Sequence, residues 1–449
     1  KQQLVYAKGL PAFDYSILQE KEQSALTASD ITSSLGVDIT HVENPFPEFS
    51  REPLLPHKLS TEGPALAVAD IDHNGLEDIF IGSSKGEKSK LYLQQLSGKF
   101  VSYTAPALAR DSMYEDVDAC WVDVNNDGHV DLVVASGGNE YYGGDSMQLP
   151  RVYLNDGRAN LTRAFDAFQK IFATTSCVAP YDFNGDGFVD LFIGGRDMPW
   201  EYGKAPRSYL LQNDGTGRFK DVTSKELGEA GFVTNAVWAD MDRDGDKDLV
   251  LSLEWGNITA FENNKGNFSK KALTEKTGWW NFALPVDINN DGNLDLICGN
   301  LGLNSKLKAS DQEPVRLYYN DFDGNGKNEQ VMTYYLMNKE IPFANKAELE
   351  KQMPFLKKKF LYAEDFAKSS LKNMFGSDKL SDATMFTANY FSNAVLINKG
   401  NWQFEIKALP WQAQLTSYRD AVAVNANNDN LPDIFLAGNY YDNNIEMGR

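Results

Sequence analysis

The residues most able to do chemistry in this chain sit in short acidic stretches. DVNNDGHVD at 123–131 places side-chain oxygens at its first, third, fifth and ninth residues and glycine at its sixth. Alternate residues of a tight loop point inward, so such a spacing builds a cage of hard oxygen donors, the kind calcium takes. Glycine at the sixth position permits the positive φ that the turn demands. A backbone carbonyl at the seventh adds a donor and leaves that side chain free to vary.

The pattern recurs at 70–78, 182–190, 240–248, 287–295 and 321–329. The donors are Asp70, Asp72, Asn74, the Leu76 carbonyl and Asp78 in the first copy, and Asp123, Asn125, Asp127, the His129 carbonyl and Asp131 in the second. The third supplies Asp182, Asn184, Asp186, Phe188 through its carbonyl and Asp190; the fourth supplies Asp240, Asp242, Asp244, Asp246 through its carbonyl and Asp248. Asp287, Asn289, Asp291, the Asn293 carbonyl and Asp295 form the fifth, and Asp321, Asp323, Asn325, the Lys327 carbonyl and Glu329 the sixth.

One such loop alone reads equally well as a plain turn. Six sharing the same positions do not, and their 19 acidic residues at ligand positions would repel one another without cations. Magnesium prefers stricter octahedral geometry, and zinc wants His or Cys, so calcium is the expected ion. About six ions per chain are expected, which would bring the formal charge from −20 to about −8. The last carboxylate falls at position nine, where the next strand begins, and not at position twelve as in an EF-hand. A seventh copy, NANNDNLPD at 425–433, keeps Asn425, Asn427, Asp429 and Asp433 but has Asn430 in place of glycine. Affinity falls with charge count, so this loop is the doubtful calcium site.

Short apolar runs flank each loop, such as ACWV before and DLVVASGG after, bounded by glycine and rich in β-branched residues. They read as buried strands. Hairpins follow in LYLQQLSGKF, VYLNDGRANL, SYLLQNDGTGRF, ITAFENNKGNF and AVLINKGNWQF, whose Asn-Asp-Gly and Asn-Lys-Gly turns suit two antiparallel arms. The unit is thus four strands. Loop starts lie 53, 59, 58, 47, 34 and 104 residues apart. Four-stranded units at that interval predict an all-β chain, a β-propeller of four-stranded blades. Seven blades are expected, with six and eight the alternatives. We divide the chain into a lead-in over 1–60 that packs on or closes the propeller, and the propeller itself over 61–449. The long last interval holds a helical insertion over 345–376, where Leu349, Met353, Leu356, Phe360 and Leu361 recur at helical spacing. Pro354 interrupts it and Gly376 ends it, which predicts two short helices that cap one face.

Composition narrows the functional classes. The chain has 449 residues, 42% of them hydrophobic, enough for a sizeable core. An acidic excess of this size disfavours nucleic acid and anionic lipid as partners. No window approaches the ~18 apolar residues that a membrane span needs. Cys120, Cys177 and Cys298 lie among small apolar residues and read as buried hydrophobes, not a disulfide framework. A start at Lys1 without Met, and an end at EMGR without a terminal element, read as a trimmed piece of something longer.

The D-x-[DN]-x-[DN]-G-x-x-[DE] loops and the strands that follow them resemble the FG-GAP/VCBS repeat family, the calcium-loop propeller blades of integrin α-subunits and many secreted bacterial proteins. ENPFPEFSREPLLPHKLSTEGPALAVADID, PRSYLLQNDGTGRFKDVT and GNLGLNSKLKASDQEPVRLYYNDFDGNG look like large bacterial surface proteins in which such propellers accompany an ASPIC/UnbV-type domain, of which no copy is seen. The resemblance implies a secreted or outer-membrane-associated setting at the cell surface and fixes no ligand.

Two functional classes remain. The favoured one is a non-catalytic recognition or scaffold module for a protein partner in a surface assembly, or for a glycan. The alternative is a propeller-fold polysaccharide-degrading lyase or hydrolase, resting on fold analogy alone. No nucleophile elbow, P-loop or zincin helix is present. The four histidines are expected to be exposed or to bond locally, His73 and His129 within loops and His41 and His57 in the lead-in. Aromatics that the repeat does not explain are the candidate ligand contacts: Tyr141 and Tyr142, Trp200 and Tyr202, Tyr440 and Tyr441. Trp279 and Trp280 are expected to pack between blades.

Overall fold

The computed structural model describes residues 29–168, 171, 173–439, 443, 444 and 447. Its strands group into antiparallel sheets, all but one of which follow the chain outward from an innermost strand. Blade 1 is β1 (Leu66–Ala69), β2 (Asp78–Ile81), β3 (Lys90–Gln94) and β4 (Phe100–Tyr103); blade 2 is β5 (Asp116–Val122), β6 (Asp131–Ser136), β7 (Arg151–Asn155) and β8 (Leu161–Ala164). Blade 3 is β9 (Thr174–Tyr181), β10 (Asp190–Asp197), β11 (Tyr209–Asn213) and β12 (Phe219–Asp221). Blade 4 is β13 (Phe232–Ala239), β14 (Asp248–Gly256), β15 (Thr259–Asn264) and β16 (Asn267–Ala272), with β17 (Gly278–Trp279) added at the end of β14. Each of the five predicted hairpins forms the outer pair of a blade.

Blade 5 departs from this order. It starts as β18 (Phe282–Val286) and β19 (Asp295–Gly299), and residues 300–393 then leave the sheet. They fold as a separate sheet in the order β22 (Lys339–Pro342), β21 (Glu329–Leu336), β20 (Val315–Asn320), β23 (Thr384–Ala388) before blade 5 resumes with β24 (Ala394–Asn398) and β25 (Phe404–Ala408). A last sheet pairs only β26 (Tyr418–Val424) and β27 (Asp433–Gly438). The loop at 321–329 therefore joins two strands of the inserted sheet and opens no blade. The starts at 287 and 425 lie 138 residues apart; the excursion takes 94 of these and leaves 44, close to an ordinary blade interval. Among the described residues six sheets face the central cavity, five complete and one two-stranded, and not the expected seven.

The strands are buried because both faces of a blade meet neighbours. β6 and β10 are buried throughout, and Leu132, Val134 and Tyr153 of blade 2 pack with Phe80 and Leu91 of blade 1. The inserted sheet caps one end. Its Val315, Leu317 and Met332 join Trp255 and Trp279 of blade 4 and Leu55 and Leu59 of the lead-in in one core. On its other side Leu349, Met353, Leu356 and Phe360 pack as their spacing predicts, whereas Leu361 is 78% exposed. Four short helices, not two, fill the predicted range from Lys346 to Phe375, and a fifth follows over Ser377–Ser381. An Asn345–Glu348 capping box starts the first, Pro354 starts the second, and Gly376 at φ +89° separates the last two. Cys177 and Cys298 are buried and Cys120 partly so, all three as free thiols.

Candidate functional site

The seven acidic loops share one backbone design. The ninth residue opens the following strand in every copy, as expected: Asp78, Asp131, Asp190, Asp248, Asp295, Glu329 and Asp433. In 123–131 the Asp123 carboxylate accepts the N–H groups of Asp127 at 3.2 Å and Gly128 at 2.9 Å. Asn125 Oδ1 accepts from Asp127 at 3.2 Å, and Asp127 Oδ1 from His129 at 2.9 Å. The third-to-fifth and fifth-to-seventh bonds recur in all seven loops. The bond from the first carboxylate to the N–H of the glycine at position six recurs in the six acidic ones. This ladder of local bonds curls the chain and turns the side-chain oxygens inward. Position six is left-handed throughout, and so is position four, which the sequence reading passed over: His73, Asn126, Gly185, Arg243, Asn290, Gly324 and Asn428 all have φ between 56° and 77°.

Three loops bring three carboxylates together with one oxygen each within 4.8 Å of the others: Asp70, Asp72 and Asp78; Asp240, Asp242 and Asp244; Asp321, Asp323 and Glu329. These are the copies with aspartate at position three. Asn125, Asn184 and Asn289 stand there in the other acidic loops, supplying an amide oxygen instead. The donor set is oxygen alone, which fits a hard divalent cation. Burial first, and then the repulsion of the loop carboxylates, pushes the ninth residue up, to about 6 at Asp131 and about 7 at Asp190, Asp248 and Glu329.

The ninth carboxylate also anchors the sheet without any ion. Asp131 Oδ1 accepts from the N–H of Asn155 at 2.8 Å, Asp190 from Asn213 at 2.8 Å, Asp248 from Asn263 at 2.9 Å and Asp295 from Asn398 at 2.7 Å. Each of these asparagines lies at or next to the end of the third strand of its blade and donates its Nδ2 to the second loop residue of the preceding blade: Ile71, Val124, Phe183 and Met241. The signal was present in VYLN, YLLQN, AFEN and VLIN, where these residues read only as turn formers.

The candidate aromatics separate. Tyr142 and Trp200 lie against each other at a tilt of 33° with ring centroids 4.6 Å apart, 62% and 46% exposed, with the Arg51 guanidinium 4.8 Å from the Trp200 ring. Tyr141 lies beside them, its ring under Lys85 and its hydroxyl donating to the Met113 carbonyl. The lead-in fixes this face. Asn139 donates to Glu48 and Glu52, accepts from the Trp200 N–H, and its carbonyl accepts from Arg51. Tyr202 is not a surface contact: it is fully buried, donates to Glu254 at 2.7 Å and accepts from the Trp255 indole. Tyr440 and Tyr441 lie outside the described residues. Trp279 and Trp280 are buried, as expected of packing residues.

Two histidines also depart from expectation. His57 is interior, with Nε2 2.7 Å from Glu254, which is further paired to the buried Arg196. Those partners hold the Glu254 carboxyl far below the usual range against the opposing effect of burial. His129, half-buried, bonds at 2.7 Å to His73 of the adjacent loop and not locally, whereas His73 is exposed, as expected.

Comparison with known proteins agrees with the loop geometry. A family model for an FG-GAP-like repeat matches residues 70–134, 123–193 and 182–251, each match running from one acidic loop through the next. Residues 70–251 are FG-GAP-like repeats. Phosphatidylinositol-glycan-specific phospholipase D of Rattus norvegicus is 27% identical over 183 residues, covering 35% of this chain and 22% of that protein. The Mus musculus protein of the same name is 26% identical over 181 residues, with 35% and 21% covered. The match thus spans about a fifth of the length of these relatives. Among solved structures the Dos1 propeller aligns with 66% of this chain and 67% of its own at 12% identity and a TM-score of 0.33. No helix among the described residues is long and apolar enough to cross a membrane.

Proposed function

We propose that this FG-GAP propeller is a calcium-stabilised extracellular recognition module, non-catalytic and acting at a bacterial cell surface or in an outer-membrane assembly. The observation that carries the reading is the shared oxygen ladder of the acidic loops, with three carboxylates gathered in three of them. Calcium in the six acidic loops, through the side chains and position-seven carbonyls named above, relieves the repulsion of those carboxylates and ties each loop to its sheet. Residues 1–60 then serve as a lead-in, of which residues 1–28 lie outside the described residues and the rest docks on the propeller through bonds such as that of Asn139 to Glu48. A protein or glycan partner engages the Tyr142–Trp200 face, whose exposed rings suit sugar stacking and protein hot spots alike. An ASPIC/UnbV-type domain elsewhere in a longer chain fits this reading.

Equilibrium dialysis with thermal unfolding in chelator and in millimolar calcium tests the first half. About six ions and a large calcium-dependent rise in the midpoint are expected, because calcium binds the folded state alone. Absence of bound metal and of any shift rejects it. Arrays of glycans and surface proteins, probed with wild type and with Tyr142→Ala/Trp200→Ala, test the second. A partner retained at full strength by the double variant moves recognition off this face.

A further inference from the structure

The axis of the propeller holds a cavity of about 530 Å³. Every innermost strand, or the residue that leads into it, meets the cavity at the end remote from its acidic loop, through Leu66, Val117, Ser176, Thr234, Asn281 and Arg419. In four of the six this residue is an unpaired bulge. Strand pairing skips Val117 between Asp116 and Asp118, Ser176 between Thr175 and Cys177, Thr234 between Val233 and Asn235, and Arg419 between Tyr418 and Asp420. A bulge inserts one residue and re-aims a side chain out of strict alternation. Four at one register place bulged residues in the lining of one cavity.

The lining is polar, and part of its hydrogen-bonding capacity is unused. The Thr61 hydroxyl, in a residue 8% exposed, has no hydrogen-bond partner. The Trp279 indole N–H, in a residue 5% exposed, has none either. Trp279 lines an adjoining pocket of about 30 Å³ that shares Arg196, Thr234, Asn281 and Arg419 with the larger cavity. A space of that size takes one hydroxyl-sized group. Leaving buried donors unpaired costs free energy, on the order of 1–3 kcal/mol each, which a ligand of matching polarity recovers.

Charge selects the ligand. Glu43, Glu62, Asp118 and Asp420 outnumber Arg196 and Arg419, and Arg196 is already held by Glu62 and Glu254, so an anion is repelled. Among the described residues, the carboxylate groups close enough to share a metal are all in the acidic loops, not here. Carboxylates that accept, facing amide and hydroxyl groups that donate, suit a neutral molecule rich in hydroxyls. The volume lies within the roughly 300–1,000 Å³ of small-ligand sites. We propose that the central cavity binds a neutral sugar, one or two residues in length, whose hydroxyls engage Thr61, Asp118, Asn235 and the Trp279 indole. This rests on the reading of the chain as a recognition module, and it places a second site apart from the Tyr142–Trp200 face.

The test is calorimetric titration of the full calcium-loaded chain with glucose, galactose, mannose, N-acetylglucosamine, maltose and cellobiose, with glucuronate as the charged control. At least one neutral sugar is expected to bind, and glucuronate at least tenfold more weakly. Thr61→Val removes a hydroxyl with no native bond to lose, so it keeps the unfolding midpoint; with Asn235→Ala as a second variant, each is expected to weaken binding roughly tenfold. No binding across the panel overturns the proposal, as does glucuronate binding as tightly as the neutral sugars. Binding that survives both cavity variants but is lost in Tyr142→Ala/Trp200→Ala also overturns it, while leaving the recognition module intact.

Discussion

Loops 240–248 and 425–433 are the richest and the poorest copies of one repeat. Both carry the same third-to-fifth and fifth-to-seventh bonds, and both have left-handed residues at positions four and six. Arg243 and Gly245 hold those conformations in one, Asn428 and Asn430 in the other. The backbone shape is therefore independent of the charge it carries, because amide and carboxylate oxygens accept the same N–H groups. What differs is the setting. Asp248 is fully buried and accepts from Met241 within the loop and from Asn263 on the third strand of blade 4. Asp433 accepts from the Ala426 N–H and the Asn427 amide, and among the described residues no third strand reaches it, its sheet having two strands. A loop can fold by itself, but only a complete blade makes it a support for the whole sheet.

The largest effect expected from this contrast is that of calcium withdrawal. Each site filled at about 100 times its Kd adds about 2.7 kcal/mol, so several acidic loops acting together dominate the response. Asp429→Asn should barely change the calcium-dependent midpoint, whereas Asp244→Asn should remove one site from the metal count. If both variants lower the count equally, the two loops are equivalent as cation sites and the comparison fails.

Next comes the anchor itself. Asp248→Ala strips two buried N–H groups of their acceptor and should cost about 2–4 kcal/mol in urea unfolding, even in chelator. Asp433→Ala, at a half-exposed position, should cost less than about 1 kcal/mol. Asn398→Ala, which loses Nδ2 bonds to Met241 and Leu294, should fall nearer the first value than the second.

Much of this was legible in the sequence, and the unread parts share a physical cause. Loop, strand and hairpin are local, and their residues lie within a dozen positions of one another, so spacing alone revealed them. The blade order was not local. Residues 300–393 interrupt blade 5 between β19 and β24, and the apolar runs of the inserted sheet look like those of a blade because both bury two faces. The same limit hid His57 and Tyr202, whose partner Glu254 stands 197 and 52 residues away. It hid the third-strand asparagines too, since their second bond crosses to the preceding blade.

A smaller effect sits at position six. Gly245 has φ +97° with open space where a Cβ would stand, so Gly245→Ala costs conformational strain alone, roughly 1–2 kcal/mol. Asn430→Gly at φ +65° should leave stability within about 0.5 kcal/mol, because asparagine already tolerates that region. A large loss at Asn430 would mean that its side chain supports the two-stranded sheet in a way the glycine of the acidic loops does not.

The shallowest expected signal is the pH dependence of the metal-free protein. Burial raises the folded-state pKa of Asp131, Asp190, Asp248 and Glu329 to about 6 to 7, above the ordinary carboxyl range. The folded chain then binds more protons than the unfolded chain between about pH 4 and 7, so stability in chelator must fall as pH rises through that window. Calcium reverses the preference by favouring the ionised form, so in millimolar calcium the decline should vanish or change sign. Urea unfolding at pH 5 and pH 7, with and without calcium, reads the difference directly. A decline of equal size in both conditions would show that the ninth carboxylate serves the sheet alone and takes no part in holding the cation.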